Sequence, residues 1–244
     1  LCRAGYTNLC RDRHLVGIHS SGGFGEYTLA PAANVYPLPD GVEARTGALA
    51  EPLANGVHAA RLGLANRAVE NAVVIGAGTI GLMCLQAAVL DGIPKVHAVE
   101  PVAARREQAL ALGAGAVHES GAQAREALDE TTEGLGADLV IDAVGAEATR
   151  RMAVEELLRP GGRVVYIGLH SDATTLGFHD IVRGQLDLQG SYAYTAEDYE
   201  QALEWLVNGQ AGIGELPPVL PLEDGPDAFA ELVRGPSARI KIFL

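Results

Sequence analysis

Three glycines and one acid carry the clearest chemical signal in this chain. Gly76, Gly78 and Gly81 punctuate the run Asn71-Ala-Val-Val-Ile-Gly-Ala-Gly-Thr-Ile-Gly-Leu82, and Glu100 stands nineteen residues beyond the third glycine. Residues 72–75 enter the turn as a buried apolar strand, and residues 80–90 leave it as a helical apolar run that stops at Asp91-Gly92. Each part suits a grip on the diphosphate of a dinucleotide. Gly76 permits the tight turn, Gly78 lets backbone approach the pyrophosphate, and Gly81 lets helix and strand pack closely. The helix start at Thr79 and Ile80 offers free N–H groups and a partial positive charge to the phosphates. A carboxylate at Glu100, closing the second strand at residues 96–99, accepts hydrogen bonds from both hydroxyls of an NAD ribose and repels a 2′-phosphate. Arg105 and Arg106 follow close enough to greet such a phosphate, so NADP stays open behind NAD as the expected cofactor.

The elements that must position these residues alternate strand and helix. Strands are predicted at residues 72–75, 96–99, 116–118, 139–142, 164–167 and 186–190, with helices over 80–90, 103–112, 123–131 and 147–158. Six short, mostly apolar strands with helices between them specify an α/β fold, a doubly wound parallel sheet of the Rossmann kind. Ligands bind at the carboxyl ends of such strands. That rule directs attention beyond the glycine turn to Val144, to Ile167, Gly168 and Leu169, and to Ser191 and Tyr192. The first fifty residues read as strand and turn broken by Pro and Gly, and residues 43–63 as a helix. Thr195 can cap a helix running through Val207, a short helix covers 227–233, and 240–244 reads as a closing strand. The sheet is therefore expected as an insertion, residues 55–193, in a second, mainly β domain made from 1–54 and 194–244.

Bulk composition narrows the function classes. A chain of 244 residues with 48% hydrophobic content can bury a substantial core, and 30 glycines against four Phe and one Trp suit many βα turns. A net charge of −13 argues against nucleic-acid binding, which wants a basic stripe. There is no apolar run long enough to span a membrane and no charged-then-apolar leader. Three unevenly placed cysteines make no disulfide framework, so a reducing cytoplasm is the expected compartment. The chain opens at Leu1, without a methionine and inside what reads as a loop, so its beginning is expected to be missing.

Other stretches carry a resemblance. Cys2-Arg-Ala-Gly5-Tyr-Thr-Asn8-Leu9-Cys10, Gly17 and Gly23-Phe-Gly-Glu26-Tyr27 resemble the catalytic-domain core of zinc-dependent medium-chain dehydrogenases. Ala50-Glu51-Pro52-Leu53 with His58-Ala59 is similar to the polyol (sorbitol) branch, and Arg159-Pro-Gly-Gly162-Arg-Val-Val and the terminal Ile-Lys-Ile-Phe-Leu fit as well. The resemblance runs from Leu1 to Leu244. It implies a GroES-like catalytic domain, incomplete here, and two zinc sites. Cys2 and Cys10 match the last two of four cysteines around a structural Zn²⁺, and Glu51 matches the position that supplies, or stands beside, the last ligand of the catalytic Zn²⁺. Tyr194 matches a substrate-side tyrosine, whereas Ala193 stands where sorbitol dehydrogenases place an arginine, which puts sorbitol itself in question. His58 is read as a packed or surface histidine and Cys84 as core.

The chemistry so implied is reversible oxidation of a secondary alcohol to its ketone with NAD, a small-molecule substrate, and a homodimer or homotetramer paired through the edge strand near 186–190. Two alternatives stay open: a zinc-independent, NADPH-dependent enone or quinone reductase of the same fold, and a truncated NAD-binding module that turns nothing over.

Overall fold

A computed structural model describes residues 1–235 and 239–244. In chain order it places helices α1 (Ala44–Gly47) and α2 (Ala50–Leu64), strand β1 (Asn71–Ile75), α3 (Thr79–Leu90), β2 (Lys95–Val99), α4 (Ala103–Ala111), β3 (Ala116–His118) and α5 (Gly121–Thr132). Then come β4 (Ala137–Asp142), α6 (Glu147–Arg151), β5 (Leu158–Tyr166), α7 (Phe178–Gly184), β6 (Asp187–Gly190), α8 (Ala196–Val207) and α9 (Gly225–Val233). The six strands form one sheet in the order β3-β2-β1-β4-β5-β6, parallel throughout. The order reverses between β1 and β4, and their carboxyl ends diverge into the crevice where such sheets take ligands.

Every residue of β1 is buried, because helices cover both faces of the sheet. On one face Val74, Leu139, Ile141 and Val165 pack beneath α3 through Leu82 and Leu85. On the other, Val73, Val140 and Val164 meet Ala124 and Leu128 of α5. Helix α3 is apolar all round and is covered in turn by α2. At their crossing a Cβ on Gly56 would lie 2.5 Å from the carbonyl carbon of Met83, so the two backbones touch. Helix α8 closes this layer, its Trp205 and Leu206 packing with Leu49, Leu53 and Val57. Thr195 caps it as expected: its Oγ1 accepts from the Asp198 N–H, and the Asp198 carboxylate accepts from the Thr195 N–H.

Several expectations are corrected. The helix expected over 147–158 breaks after α6 into a π-helical turn, Met152–Leu157, that keeps Ala153, Val154 and Leu157 buried. β5 starts at Leu158, earlier than expected, and its register against β4 slips from Ala137↔Leu158 to Leu139↔Arg163. The extra residues, Pro160-Gly-Gly162, bulge out; Pro brings no N–H to leave unpaired, and Gly161 takes φ +72°. Among the described residues, the first fifty form no strand ladder. They make 3-10 turns at Cys2–Ala4, Thr7–Leu9 and Ala32–Asn34 and one bridge between Val16 and Ser20, and leave Phe24, Tyr27 and Leu29 exposed. Extended backbone needs a neighbour to receive its hydrogen bonds, and these residues pair with none. The closing strand is likewise reduced to a single bridge, Val219 to Phe243. The division expected at residue 54/55 falls inside α2, which runs unbroken to Leu64.

Candidate active site

The turn after β1 and the start of α3 make a cradle whose dimensions depend on its glycines. Gly76 adopts φ +90°, and a Cβ there would strike Val144 at 2.6 Å. A Cβ on Gly81 would lie 1.7 Å from the Gly76 carbonyl oxygen, so strand and helix approach as only glycine allows. Gly78 differs: a Cβ there would meet nothing within 4 Å, so open space lies in front of its backbone. Gly78 offers no side-chain cap to α3, and the N–H groups of Thr79, Ile80 and Gly81 begin the helix uncapped. The Thr79 hydroxyl turns away and donates to the carbonyl of Ile240, leaving Thr79 only its backbone for a phosphate.

Beside the cradle lies a cavity of about 410 Å³ lined by Ile75, Gly76, Val99, Glu100, Arg105 and Val144 among others, so the ends of β1, β2 and β4 share one space. Glu100 is 3% exposed. One carboxylate oxygen accepts from the Ala77 N–H at 2.8 Å and the other from the Val102 N–H at 2.9 Å, with the Arg105 guanidinium 3.9 Å away. A carboxylate oxygen has two acceptor positions, so each keeps one for a ribose hydroxyl. The acid also ties the glycine turn to the end of β2, a role the spacing alone does not show. One Arg106 nitrogen donates to the carbonyls of Glu100 and Pro101, both at 2.7 Å, and the other lies 3.6 Å from the Glu119 carboxylate, so the guanidinium is held away from a 2′-phosphate.

Asp142, at the end of β4, is fully buried and was not singled out in the sequence. Its carboxylate accepts from the N–H groups of Val144 and Gly145 and from the Thr149 hydroxyl, while its carbonyl accepts from Ile167 and Gly168. A lone acid ending an apolar strand is the signal that could have found it. Because Ile167 and Gly168 donate to Asp142, and Ser191 donates to the Tyr166 carbonyl, these three N–H groups are consumed by the sheet. Of the backbone expected to line the ligand crevice here, these three amides therefore have no hydrogen left for a ligand. What remains there are carbonyl oxygens, the amides of Leu169 and Tyr192, which donate to no carbonyl among the described residues, and the Ser191 hydroxyl, which is buried without a partner. Leu169 is 85% exposed at the rim.

A second cleft, about 700 Å³, brings Glu51 at the start of α2 to Tyr194, Tyr192, Tyr36 and Tyr199. Tyr199 packs between Tyr36 (centroids 4.7 Å) and Tyr194 (5.9 Å), its ring tilted against both. Burial, and then the negative charge of Glu51, push the Tyr194 hydroxyl up to about 12. It stays protonated at physiological pH and has a hydrogen to donate.

The family model described as zinc-binding dehydrogenase matches residues 79–208. D-xylulose reductase A of Aspergillus oryzae is 33% identical over 242 residues, covering 96% of this chain and 67% of its own length. The chain belongs to the zinc-binding dehydrogenases. A 2-dehydro-3-deoxy-L-galactonate 5-dehydrogenase of Pseudoalteromonas atlantica is 31% identical over 96% of this chain and 68% of its own. An Escherichia coli structure described as a short chain alcohol dehydrogenase complexed with NADH superposes with TM-score 0.85 at 25% identity, over 99% of this chain and 71% of that one. A putative zinc-binding dehydrogenase from Sinorhizobium meliloti bound to NADP gives 0.84 at 28%, covering 99% and 70%.

In this dehydrogenase Cys2 and Cys10 lie side by side, and the hydrogen bond that the Cys2 thiol donates to the Cys10 sulfur raises Cys2 above its ordinary value. Cys84 is buried in α3, its thiol pushed up to about 12 by burial, and belongs to the core. No group of three or more His, Cys, Asp or Glu among the described residues is placed to hold a metal. The donors that the resemblance assigns to zinc, the Cys2–Cys10 pair for one site and Glu51 for the other, are each fewer than the four ligands a tetrahedral Zn²⁺ takes. Glu51 itself accepts only from the Asn55 side chain, at 2.9 Å, and is exposed. His58 is no ligand here. Its Nδ1 donates to the buried Asp198 carboxylate at 2.7 Å, and its Nε2 faces the Asn8 amide, which donates to the Tyr192 carbonyl at 2.8 Å. Among the described residues no helix is long and apolar enough to cross a membrane.

Proposed function

We propose that the protein is an NAD-dependent, zinc-dependent dehydrogenase interconverting a secondary alcohol of the polyol or cyclitol kind and its ketone. The observation that carries this reading is the Gly76–Glu100 cradle, which fits a diphosphate and a ribose, together with the Glu51–Tyr194 cleft flanking the carboxyl-end loop after β6. The overall change removes a hydride from the carbinol carbon and a proton from its oxygen, chemistry that a nicotinamide and a Zn²⁺ supply when bound. The chain's own residues do the positioning. The Gly78 backbone and the head of α3 take the pyrophosphate, and Glu100 receives the ribose hydroxyls. The Ser191 hydroxyl, buried and unpartnered, is available to the carboxamide. Glu51 would be the carboxylate donor to the catalytic metal and Cys2 with Cys10 half of a structural one. Tyr194, protonated, donates to a substrate oxygen.

Glu100 favours NAD: a buried carboxylate repels a 2′-phosphate, and Arg106 is held by backbone carbonyls. Glu51 and the cysteine pair speak against a zinc-free enone reductase. Residues 1–54 and 194–244 are read as parts of the catalytic domain, and β6, the open edge of the sheet, as the strand that pairs copies into a dimer. Protein expressed from the whole gene should reduce NAD faster than NADP when offered polyols, cyclitols and simple secondary alcohols, and lose that activity on chelation. Turnover indifferent to metal removal refutes the zinc mechanism.

A further inference from the structure

We propose that Arg13 recognises an oxyanion on the substrate, so that the alcohol oxidised in the Glu51–Tyr194 cleft is an acid, carrying a carboxylate or phosphate ester, and not a neutral polyol. The inference rests on reading that cleft as the substrate site. Arg13 lines it together with Glu51, Tyr192, Ala193 and Tyr194. Its guanidinium lies 4.8 Å above the Tyr192 ring, and one nitrogen donates to the Cys10 carbonyl at 3.2 Å. No acid among the described residues pairs with it, although acids outnumber bases 31 to 18 in this chain. An arginine has five N–H donors in a planar fork; with the ring beneath it and one nitrogen on the Cys10 carbonyl, it keeps donors enough to take an oxyanion with two parallel bonds. Ala193, next to the stacked tyrosine, contributes only a methyl group, so the cleft has room at that point for a ligand group.

The overall charge of −13 does not oppose this. Screening confines it to about 8 Å at physiological salt, whereas the cation acts at contact. The charge of Glu51 would be taken up by a bound metal.

The test uses protein from the whole gene, with three probes of matched chain length: a neutral polyol, the corresponding aldonate and the corresponding polyol phosphate. The wild type should show a higher kcat/KM for at least one anionic probe than for the neutral one, and which one identifies the oxyanion. Arg13→Gln should lower the anionic value about 30- to 100-fold, mostly through KM, and change the neutral one by less than about threefold. Arg13→Lys, which keeps charge without the fork, should fall between. KM for the anionic probe should rise with salt in the wild type and not in Arg13→Gln. A wild type that prefers the neutral polyol, or an Arg13→Gln loss equal for all probes, overturns the inference and leaves the dehydrogenase reading standing. No oxidation of any probe overturns both. Arg13 is exposed on a loop, so folding of the variants is checked by Tm.

Discussion

Gly78 and Gly81 belong to the same motif but do different work, and two alanine substitutions separate them. At Gly78 the backbone sits at φ −75°, ψ −175°, where alanine is comfortable, and a methyl would touch nothing within 4 Å. Gly78→Ala should therefore leave unfolding free energy within about 0.5 kcal/mol of wild type. The methyl, however, would fill the space reserved for phosphate oxygens. NADH affinity should fall at least about tenfold, a loss of about 1.4 kcal/mol. At Gly81 the methyl carbon would lie 1.7 Å from the Gly76 carbonyl oxygen. A relaxed C···O contact is about 3.3 Å, so α3 must retreat about 1.6 Å from β1. Both partners are backbone and neither can rotate away, which puts the cost at or above the usual 1–3 kcal/mol of overpacking, at about 3 kcal/mol. Urea denaturation reads the first quantity and NADH fluorescence titration the second. A Gly78→Ala protein that binds NADH like wild type would refute the placement of the pyrophosphate, and an unchanged urea midpoint for Gly81→Ala would refute the close packing.

Other outcomes follow from the same geometry. Glu100→Gln turns one acceptor oxygen into a donor facing a backbone N–H, so stability should drop by about 2 kcal/mol and the kcat/KM ratio of NADP to NAD should rise; steady-state kinetics with both coenzymes and a melting curve check the pair of effects. Burial pushes the Asp198 carboxyl up, but the hydrogen bonds from His58, Thr195 and Arg61 outweigh it and hold the group at about 2 against an ordinary 3.8. A depressed acid stabilises the fold fully above its unfolded value, here by about 2 kcal/mol, and that contribution disappears as pH falls from about 4 through about 2. Acid titration of stability should show this slope in the wild type, and in Asp198→Asn it should vanish from that window. Tyr194→Phe should reduce kcat about tenfold with the Kd for NADH unchanged, and no tyrosine ionisation should enter the wild-type rate profile below pH 11, since the hydroxyl stands at about 12.

The parallel sheet was readable in the sequence because its strands are short apolar runs and its helices end in Gly or Asp-Gly, signals that do not depend on neighbours. Residues 72–75 and Glu100 fell where expected, as β1 and the acid after β2. What periodicity could not reveal were interactions decided by distant partners. The early start of β5 depends on Ala137 across the ladder, and the π-helical turn appears in no local pattern. In the first fifty residues the strand signals lead to no ladder, since pairing depends on what lies alongside. At the site, the glycines and Glu100 were legible from spacing. Asp142 and the fate of the Ile167, Gly168 and Ser191 amides were not, because a donor's availability depends on the acceptor that happens to face it.

The bare backbone contact at Gly56 has a mechanical consequence. Glu51 lies five residues before that contact on α2, about 7.5 Å along the axis, and the phosphate-binding head of α3 lies four before it. With Glu51 holding the metal and the glycine turn the coenzyme, as proposed above, the two would be prongs of one stiff fork, hinged nowhere between them. A side chain introduced at position 56 would spread the prongs and lengthen the gap that the hydride must cross, blunting turnover while coenzyme still docks.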